Sequence, residues 1–227
     1  MRSGKEQKKE MRIENKATPV IKICGLRRAE DVTLVNKWRP DFVGFVFAPS
    51  RRRVSFEEAG RLKALLSPEI AAAGVFVDET VQQVAEAVSR GLIDVVQLHG
   101  REDNSYIASL RRLLRKQAGA DARRVPVIQA FQVETREDLL RADDSEADFL
   151  LLDHGSGGTG KSFDWSLLDG DARPAKPFFL AGGLGPENAA EAVRRIRPFG
   201  IDMSSGVETE GKKDGRKIEA VMRSVRR

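Results

Sequence analysis

The sequence predicts an α/β fold, a single (β/α)8 TIM barrel, on two observations. Short, almost continuously apolar runs alternate eight times with amphipathic stretches of helical period. The residues able to do chemistry gather at one end of those runs, and in a barrel of parallel strands that end carries the active site.

The strand-like runs are 20–24, 42–47, 72–77, 95–98, 125–131, 149–153, 178–181 and 201–203. They lack the alternation of a half-exposed strand, as strands covered on both faces do. Between them lie helix-like stretches at 30–37, 56–66, 81–90, 105–117, 136–141, a short piece at 165–168, then 186–197 and 216–225. Ser55 precedes Phe56-Glu57-Glu58, so its hydroxyl is placed to cap the first turn, with Glu58 answering three residues on. Pro186 stands where a first helical residue is expected, followed by Glu187. Right-handed crossovers close such an alternation into a barrel. An open doubly wound sheet is the other arrangement, but Cys24-Gly25-Leu26-Arg27-Arg28 lacks the glycine fingerprint expected after its first strand.

The chain has 227 residues, 41% hydrophobic and 32% charged, which suits one globular domain. Residues 1–18 are polar and lysine-rich and read as a flexible basic tail, leaving 19–227 as the barrel. The single cysteine excludes an internal disulfide framework, and with only two histidines a structural zinc site is not expected. No run is long enough to cross a membrane and no secretory apolar region opens the chain, so a cytoplasmic location is expected. The net charge of +5 comes largely from the two ends, and aromatic residues are 6% of the chain, so no nucleic-acid partner is expected. A modest positive bias also suits an anionic small molecule.

The C-terminal ends of the runs carry Cys24, the turn Phe47-Ala48-Pro49-Ser50-Arg51-Arg52-Arg53, Asp78, His99-Gly100, Asp153-His154, Gly182-Gly183 and Asp202-Met203-Ser204-Ser205-Gly206. A lone cysteine is by itself a small buried hydrophobe. The glycine-rich turns after the seventh and eighth strands say more. Adjacent glycines let backbone N–H groups approach a ligand, and Ser204-Ser205-Gly206 is set to open a short extra helix facing an anion. Together they match the phosphate site that recurs in these barrels. The run Gly155-Ser156-Gly157-Gly158-Thr159-Gly160-Lys161 reads as a flap over the substrate, a further phosphate contact or a structureless loop.

These motifs resemble a known family. Lys22-Ile23-Cys24-Gly25, Gly44-Phe45-Val46-Phe47, Val75-Phe76-Val77-Asp78 and Val96-Gln97-Leu98-His99-Gly100 carry the resemblance in the first half. Gly157-Gly158-Thr159-Gly160-Lys161 with Phe163-Asp164-Trp165, Leu180-Ala181-Gly182-Gly183-Leu184 with Pro186-Glu187-Asn188, and Asp202-Met203-Ser204-Ser205-Gly206-Val207-Glu208 carry it in the second. In order, and over all eight units from about Val20 onward, they are similar to the phosphoribosylanthranilate isomerases of tryptophan biosynthesis. That family converts an aminoaldose to an aminoketose by an Amadori rearrangement.

The resemblance implies Cys24 as general base and Asp153 as general acid. It implies Arg52 on the anthranilate carboxylate, chosen by counting back from Ser55, with Arg51 and Arg53 as alternatives. Gly182, Gly183, Ser204, Ser205 and Gly206 hold the phosphate, and Gln97, His99 and Asp202 complete the substrate-binding set. No metal and no cofactor are implied. The partner is a small phosphorylated aminosugar, and the assembly a monomer or homodimer. In these roles Cys24 needs a cationic or hydrogen-bonding neighbourhood to ionise, whereas Asp153 needs burial or a nearby carboxylate such as Asp202 to keep its proton. His99 either hydrogen-bonds at the site or packs behind it. The alternatives are a histidine-pathway aminoaldose isomerase, a dual-substrate enzyme, or a non-catalytic phospholigand-binding barrel. Where the histidine-pathway family has a second aspartate, near the fifth strand, this chain has Ala130-Phe131. A non-catalytic barrel would have no need of Cys24 and Asp153 together at strand ends.

Overall fold

The computed structural model describes residues 18–118, 125–154, 164–169 and 173–226. The expected tail therefore lies almost wholly outside the described residues, as does the glycine run at 155–161.

Eight parallel strands close a barrel in sequence order: β1 (Val20–Cys24), β2 (Phe42–Val46), β3 (Ala71–Phe76), β4 (Val95–Leu98), β5 (Val127–Gln132), β6 (Phe149–Asp153), β7 (Phe178–Leu180) and β8 (Gly200–Met203). The helices are α1 (Ala29–Trp38), α2 (Phe56–Leu65), α3 (Val81–Ser89), α4 (Asn104–Ala118), α5 (Arg136–Asp143), α6 (Ala189–Ile196) and α7 (Gly215–Val225). A 3-10 turn, Trp165–Leu168, stands between β6 and β7. Two very short strands, β9 (Glu208–Thr209) and β10 (Lys212–Lys213), pair antiparallel before α7 and were not expected from the sequence.

Local chemistry explains most boundaries. Ser55 Oγ accepts from the Glu58 N–H at 3.1 Å and Glu58 answers the Ser55 N–H at 2.7 Å, the expected reciprocal cap of α2. Asp214 accepts from the N–H groups of Arg216 and Lys217 and so starts α7. Strand β5 begins at Val127 rather than 125 because Pro126 has no N–H to give; its carbonyl accepts from Val96 instead. The expected start of the seventh helix at Pro186 is corrected. Pro186 follows Gly185 in a turn closed by the Asn188 N–H on the Gly185 carbonyl at 3.3 Å, and α6 starts at Ala189. The fixed φ of proline suits that turn as well as it suits a helix start.

Strand parity divides the molecule into two cores. Ile21, Ile23, Val43, Phe45, Leu150, Leu152 and Leu180 face outward and pack under the helices. Val20, Phe42, Ala73, Val95, Ile128, Leu151 and Phe179 face inward and fill the barrel. Its lower end is plugged by aromatic rings, with Phe149 stacked on Phe199 at 4.8 Å and Phe42 edge-on to Phe179 at 6.0 Å. Two residues further along the inward parity come Lys22, Gly44, Gln97 and Asp153, so the packed layers form a floor beneath a polar upper layer.

Candidate active site

Strand register assembles the upper layer. Lys22 and Asp202 are direct neighbours across β1 and β8, and their side chains form an ion pair of 2.9 Å. The Lys22 side chain is wholly buried. Burying an ammonium costs several kcal/mol unless it is paired and hydrogen-bonded. Burial lowers its pKa, but Asp202 and Cys24 outweigh that, so Lys22 is held above its ordinary value and stays charged. The Cys24 side chain is the second group that favours the charged form of Lys22.

Cys24 is 8% exposed at the end of β1, opposite Gly44 of β2. The missing side chain of Gly44 makes room for the thiol, since a Cβ there would lie 2.6 Å from Sγ. Burial pushes the Cys24 pKa up and prevails, although Lys22 and Lys213 pull it down. The cationic neighbourhood expected for a thiolate is present, and the thiol nonetheless remains protonated at neutral pH in the free protein.

Asp153 ends β6 with Oδ1 accepting the His154 N–H at 2.8 Å. Burial raises its pKa to about 6, opposed by that hydrogen bond and reinforced by the Asp202 charge. Both causes named for a proton-retaining acid therefore act, with burial the larger. His99 Nε2 lies 4.0 Å from Asp153 Oδ2, and Gln97 Nε2 lies 3.1 Å from His99 Nδ1. Burial lowers the His99 pKa, so the ring is neutral at pH 7. Cys24, Asp153, Gln97, His99 and Asp202 thus all lie at the C-terminal end of the barrel, above the apolar floor.

The glycine turns sit at the rim. Gly182 and Gly183 have φ of +86° and +68°, which side-chain-bearing residues rarely adopt. Asn188 braces the turn, donating to the Gly183 carbonyl at 3.2 Å and accepting from the Gly185 N–H at 2.9 Å. After β8, Ser205–Val207 forms the expected short extra helical turn. Gly206 packs directly on the Leu184 carbonyl, where any Cβ would collide, so the two turns form one surface. Ser204 Oγ donates to the Cys24 carbonyl at 3.2 Å, tying that surface to the thiol strand.

Arg52 crosses the rim to Glu208, bonding both carboxylate oxygens at 2.7 and 2.8 Å. Arg51 is 65% exposed with one 3.3 Å contact to the same carboxylate, and Arg53 is exposed with its backbone bridging to Val46. Asp78 turns away from the cluster to pair with Arg101 at 3.0 Å. Three residues given no role in the sequence reading belong to the site: Lys22, Glu208 and Lys213. Lys22 had a signal, being a charge in phase with Cys24 inside an otherwise apolar strand. Glu208 closes the Asp202–Glu208 motif but had no role read from it, and Lys213 had no signal, because their facing each other comes only from the β9–β10 pairing.

A closed barrel of eight parallel strands that gathers a buried thiol, a carboxyl of raised pKa and a pinned arginine on one rim is built as (β/α)8 enzymes are, with the site at the C-terminal ends of the strands. The family model for N-(5'phosphoribosyl)anthranilate (PRA) isomerase matches residues 21–224. The chain belongs to that family and is an isomerase of tryptophan biosynthesis. The N-(5'-phosphoribosyl)anthranilate isomerase of Endomicrobium trichonymphae is 43% identical over 212 residues, covering 92% of this chain and 98% of its own. A solved phosphoribosylanthranilate isomerase in complex with reduced 1-(o-carboxyphenylamino)-1-deoxyribulose 5-phosphate superimposes with a TM-score of 0.77 at 34% identity, covering 92% of this chain and 98% of that one. Monomers derived from the dimeric enzyme of Thermotoga maritima do so with the same TM-score, identity and coverage.

Proposed function

We propose that this chain converts N-(5'-phosphoribosyl)anthranilate to 1-(o-carboxyphenylamino)-1-deoxyribulose 5-phosphate with Asp153 as the acid and Cys24 as the base. The observation that carries this reading is the pairing of an inward carboxyl with a pKa raised to about 6 and an inward thiol beside a buried ammonium. Asp153 gives its proton to the furanose ring oxygen. The C1'–O bond breaks as the nitrogen lone pair forms a C1'=N⁺ bond. The Cys24 thiolate then takes the proton from C2', and the C–H electrons form the enolamine. A proton delivered to C1' as the C2' hydroxyl loses its own gives the ketone. Each step moves a proton and none moves electrons to an acceptor, so the chemistry calls for no cofactor or metal.

Gly182, Gly183, Ser204, Ser205 and Gly206 hold the phosphate through backbone N–H groups and hydroxyls, and Arg52 receives the anthranilate carboxylate. Neutral His99 and Gln97 line the acid side. The support for Arg52 over its neighbours is that it alone of the three is held by two hydrogen bonds at the rim. The Thermotoga maritima relative is dimeric and has monomeric forms. The same two states, monomer or homodimer, are proposed here, and sedimentation equilibrium distinguishes them. A cytoplasmic location completes the reading, supported by a base that must stay a free thiol.

The test is the loss of phosphoribosylanthranilate fluorescence with purified protein. Cys24→Ala is expected to lower kcat at least about a hundredfold, the scale of a lost general base, with KM little changed. Thiol alkylation inactivates the enzyme, and bound product slows it. A near-normal kcat in Cys24→Ala removes Cys24 as the base.

A further inference from the structure

The Arg52 guanidinium is gripped along one edge. Its stem crosses Gly25, the residue after Cys24, so closely that any Cβ there would collide with Cδ, and the φ of +83° at Gly25 favours glycine as well. Nε and Nη2 then donate side-on to the two oxygens of Glu208. Among the described residues Nη1 has no protein partner, so the end edge formed by Nη1 and Nη2 is left to offer two parallel donors.

Glu208 is itself held. Its side chain is 4% exposed, and Lys213, 1% exposed, donates to Oε1 at 2.8 Å. The same Lys213 ammonium donates to the Ser204 carbonyl at 3.1 Å, inside the turn assigned to phosphate. Burial by itself would raise the Glu208 pKa, but the hydrogen bonds from Arg52 and Lys213 outweigh it and bring it to about 2. Arg51, Arg52 and Lys213 thus surround one permanently ionised carboxylate, and the cluster keeps an excess of positive charge for an anionic ligand.

We propose that Glu208 is the positioning residue for recognition of the substrate's aromatic carboxylate: it fixes the side edge of Arg52 so that the end edge faces that carboxylate, and through Lys213 it sets this grip against the phosphate turn. The proposal rests on the assignment of Arg52 made above. Glu208 touches no reacting atom, so its removal acts on binding and not on proton transfer.

Glu208→Gln keeps the shape and removes the charge. It is expected to raise KM about tenfold, the scale of one charge-assisted hydrogen bond, with a much smaller change in kcat. Inhibition by anthranilate weakens in parallel, and inhibition by inorganic phosphate does not. In an Arg52→Ala background the same change adds less than about twofold, because the group it positions is gone. A merely structural role would lower melting temperature and active fraction and leave KM in place. An unchanged KM in Glu208→Gln beside a raised KM in Arg52→Ala overturns the proposal. So does full additivity of the two substitutions. If Arg52→Ala itself binds substrate and anthranilate normally, the Arg52 assignment fails first and takes the proposal with it. Where Glu208→Gln does not fold, Glu208→Asp keeps the charge and shortens the reach; it must show the same rise in KM, and a normal KM overturns the proposal.

Discussion

Lys22 and Asp202 face each other across the seam where β1 meets β8, and their ion pair of 2.9 Å acts electrostatically on both the thiol and the acid. The ammonium lowers the Cys24 pKa and also that of Asp153, whereas the carboxylate raises both. One buried pair therefore acts on both proton-transfer groups. Replacing Lys22 by Met leaves Asp202 without its partner in a nearly dry site, a change that costs about 3–5 kcal/mol when a buried pair is broken. The expected outcome is a lower melting temperature and an alkaline limb of the pH–rate profile moved to higher pH. An unmoved limb in folded Lys22→Met protein would show that the lysine does not act on the thiol.

The pH profile follows from the two shifted groups. Asp153 has a pKa of about 6 and Cys24 lies above its ordinary value. The productive form, with the acid protonated and the thiol ionised, is the minor arrangement of a pair that shares one proton. Its share of the singly protonated pair does not change with pH. Thus kcat/KM is expected to rise with unit slope up to about pH 6, run flat, and fall above the thiol's pKa. A steady decline from pH 6 upward would mean that no base titrates alongside Asp153, and Cys24 would lose its role.

Asp153→Asn separates catalysis from stability. It keeps an acceptor for the His154 N–H but has no proton to give, so kcat is expected to fall at least about a hundredfold. Its effect on stability has the opposite sign. The folded pKa of about 6 lies above the unfolded value, so the proton stabilises the fold at low pH. That contribution is full below about pH 4 and lost as pH rises through about 6. Two units correspond to about 3 kcal/mol, and solvent screening of a side chain 30% exposed reduces this to roughly 1–2 kcal/mol. Asp153→Asn is therefore expected to melt higher than the parent at pH 8 and no higher at pH 4. Equal melting shifts at both pH values would rule out a raised pKa as the cause.

Gly44 tests the geometry of the thiol. In Gly44→Ala the new methyl would stand 2.6 Å from Sγ and 3.1 Å from the Cys24 Cα, so the thiol must shift. A displacement of about 1 Å at a proton-transfer site costs on the order of a hundredfold in rate. Steady-state kinetics should show the loss in kcat with KM nearly retained. A normal kcat would mean that the position of Sγ does not matter.

Much of this protein was legible in its sequence because parallel barrel strands advertise themselves. Apolar runs such as Val20–Cys24 and Phe149–Asp153 end where polar chemistry begins, so position puts Cys24 and Asp153 at strand ends, and the family resemblance singles them out from the other polar residues there. The cap of Ser55 is local and sets the start of α2 as expected. The start of α6 was misplaced because Pro186 fits the first residue of a helix and a turn equally well, and only the Gly185–Asn188 closure distinguishes them. The Lys22–Asp202 pair depends on β1 meeting β8, a contact between the two ends of the barrel that no local pattern encodes. The Arg52–Glu208–Lys213 cluster joins loops more than 150 residues apart in sequence, through two tiny strands too short to leave a periodic signal. The sequence by itself determined the barrel, its chemical rim and the acid and thiol at strand ends, since each is written in a contiguous stretch. Tertiary structure decided which charges surround them, because burial and long-range pairing set both the protonation of Asp153 and Cys24 and the edge that Arg52 presents.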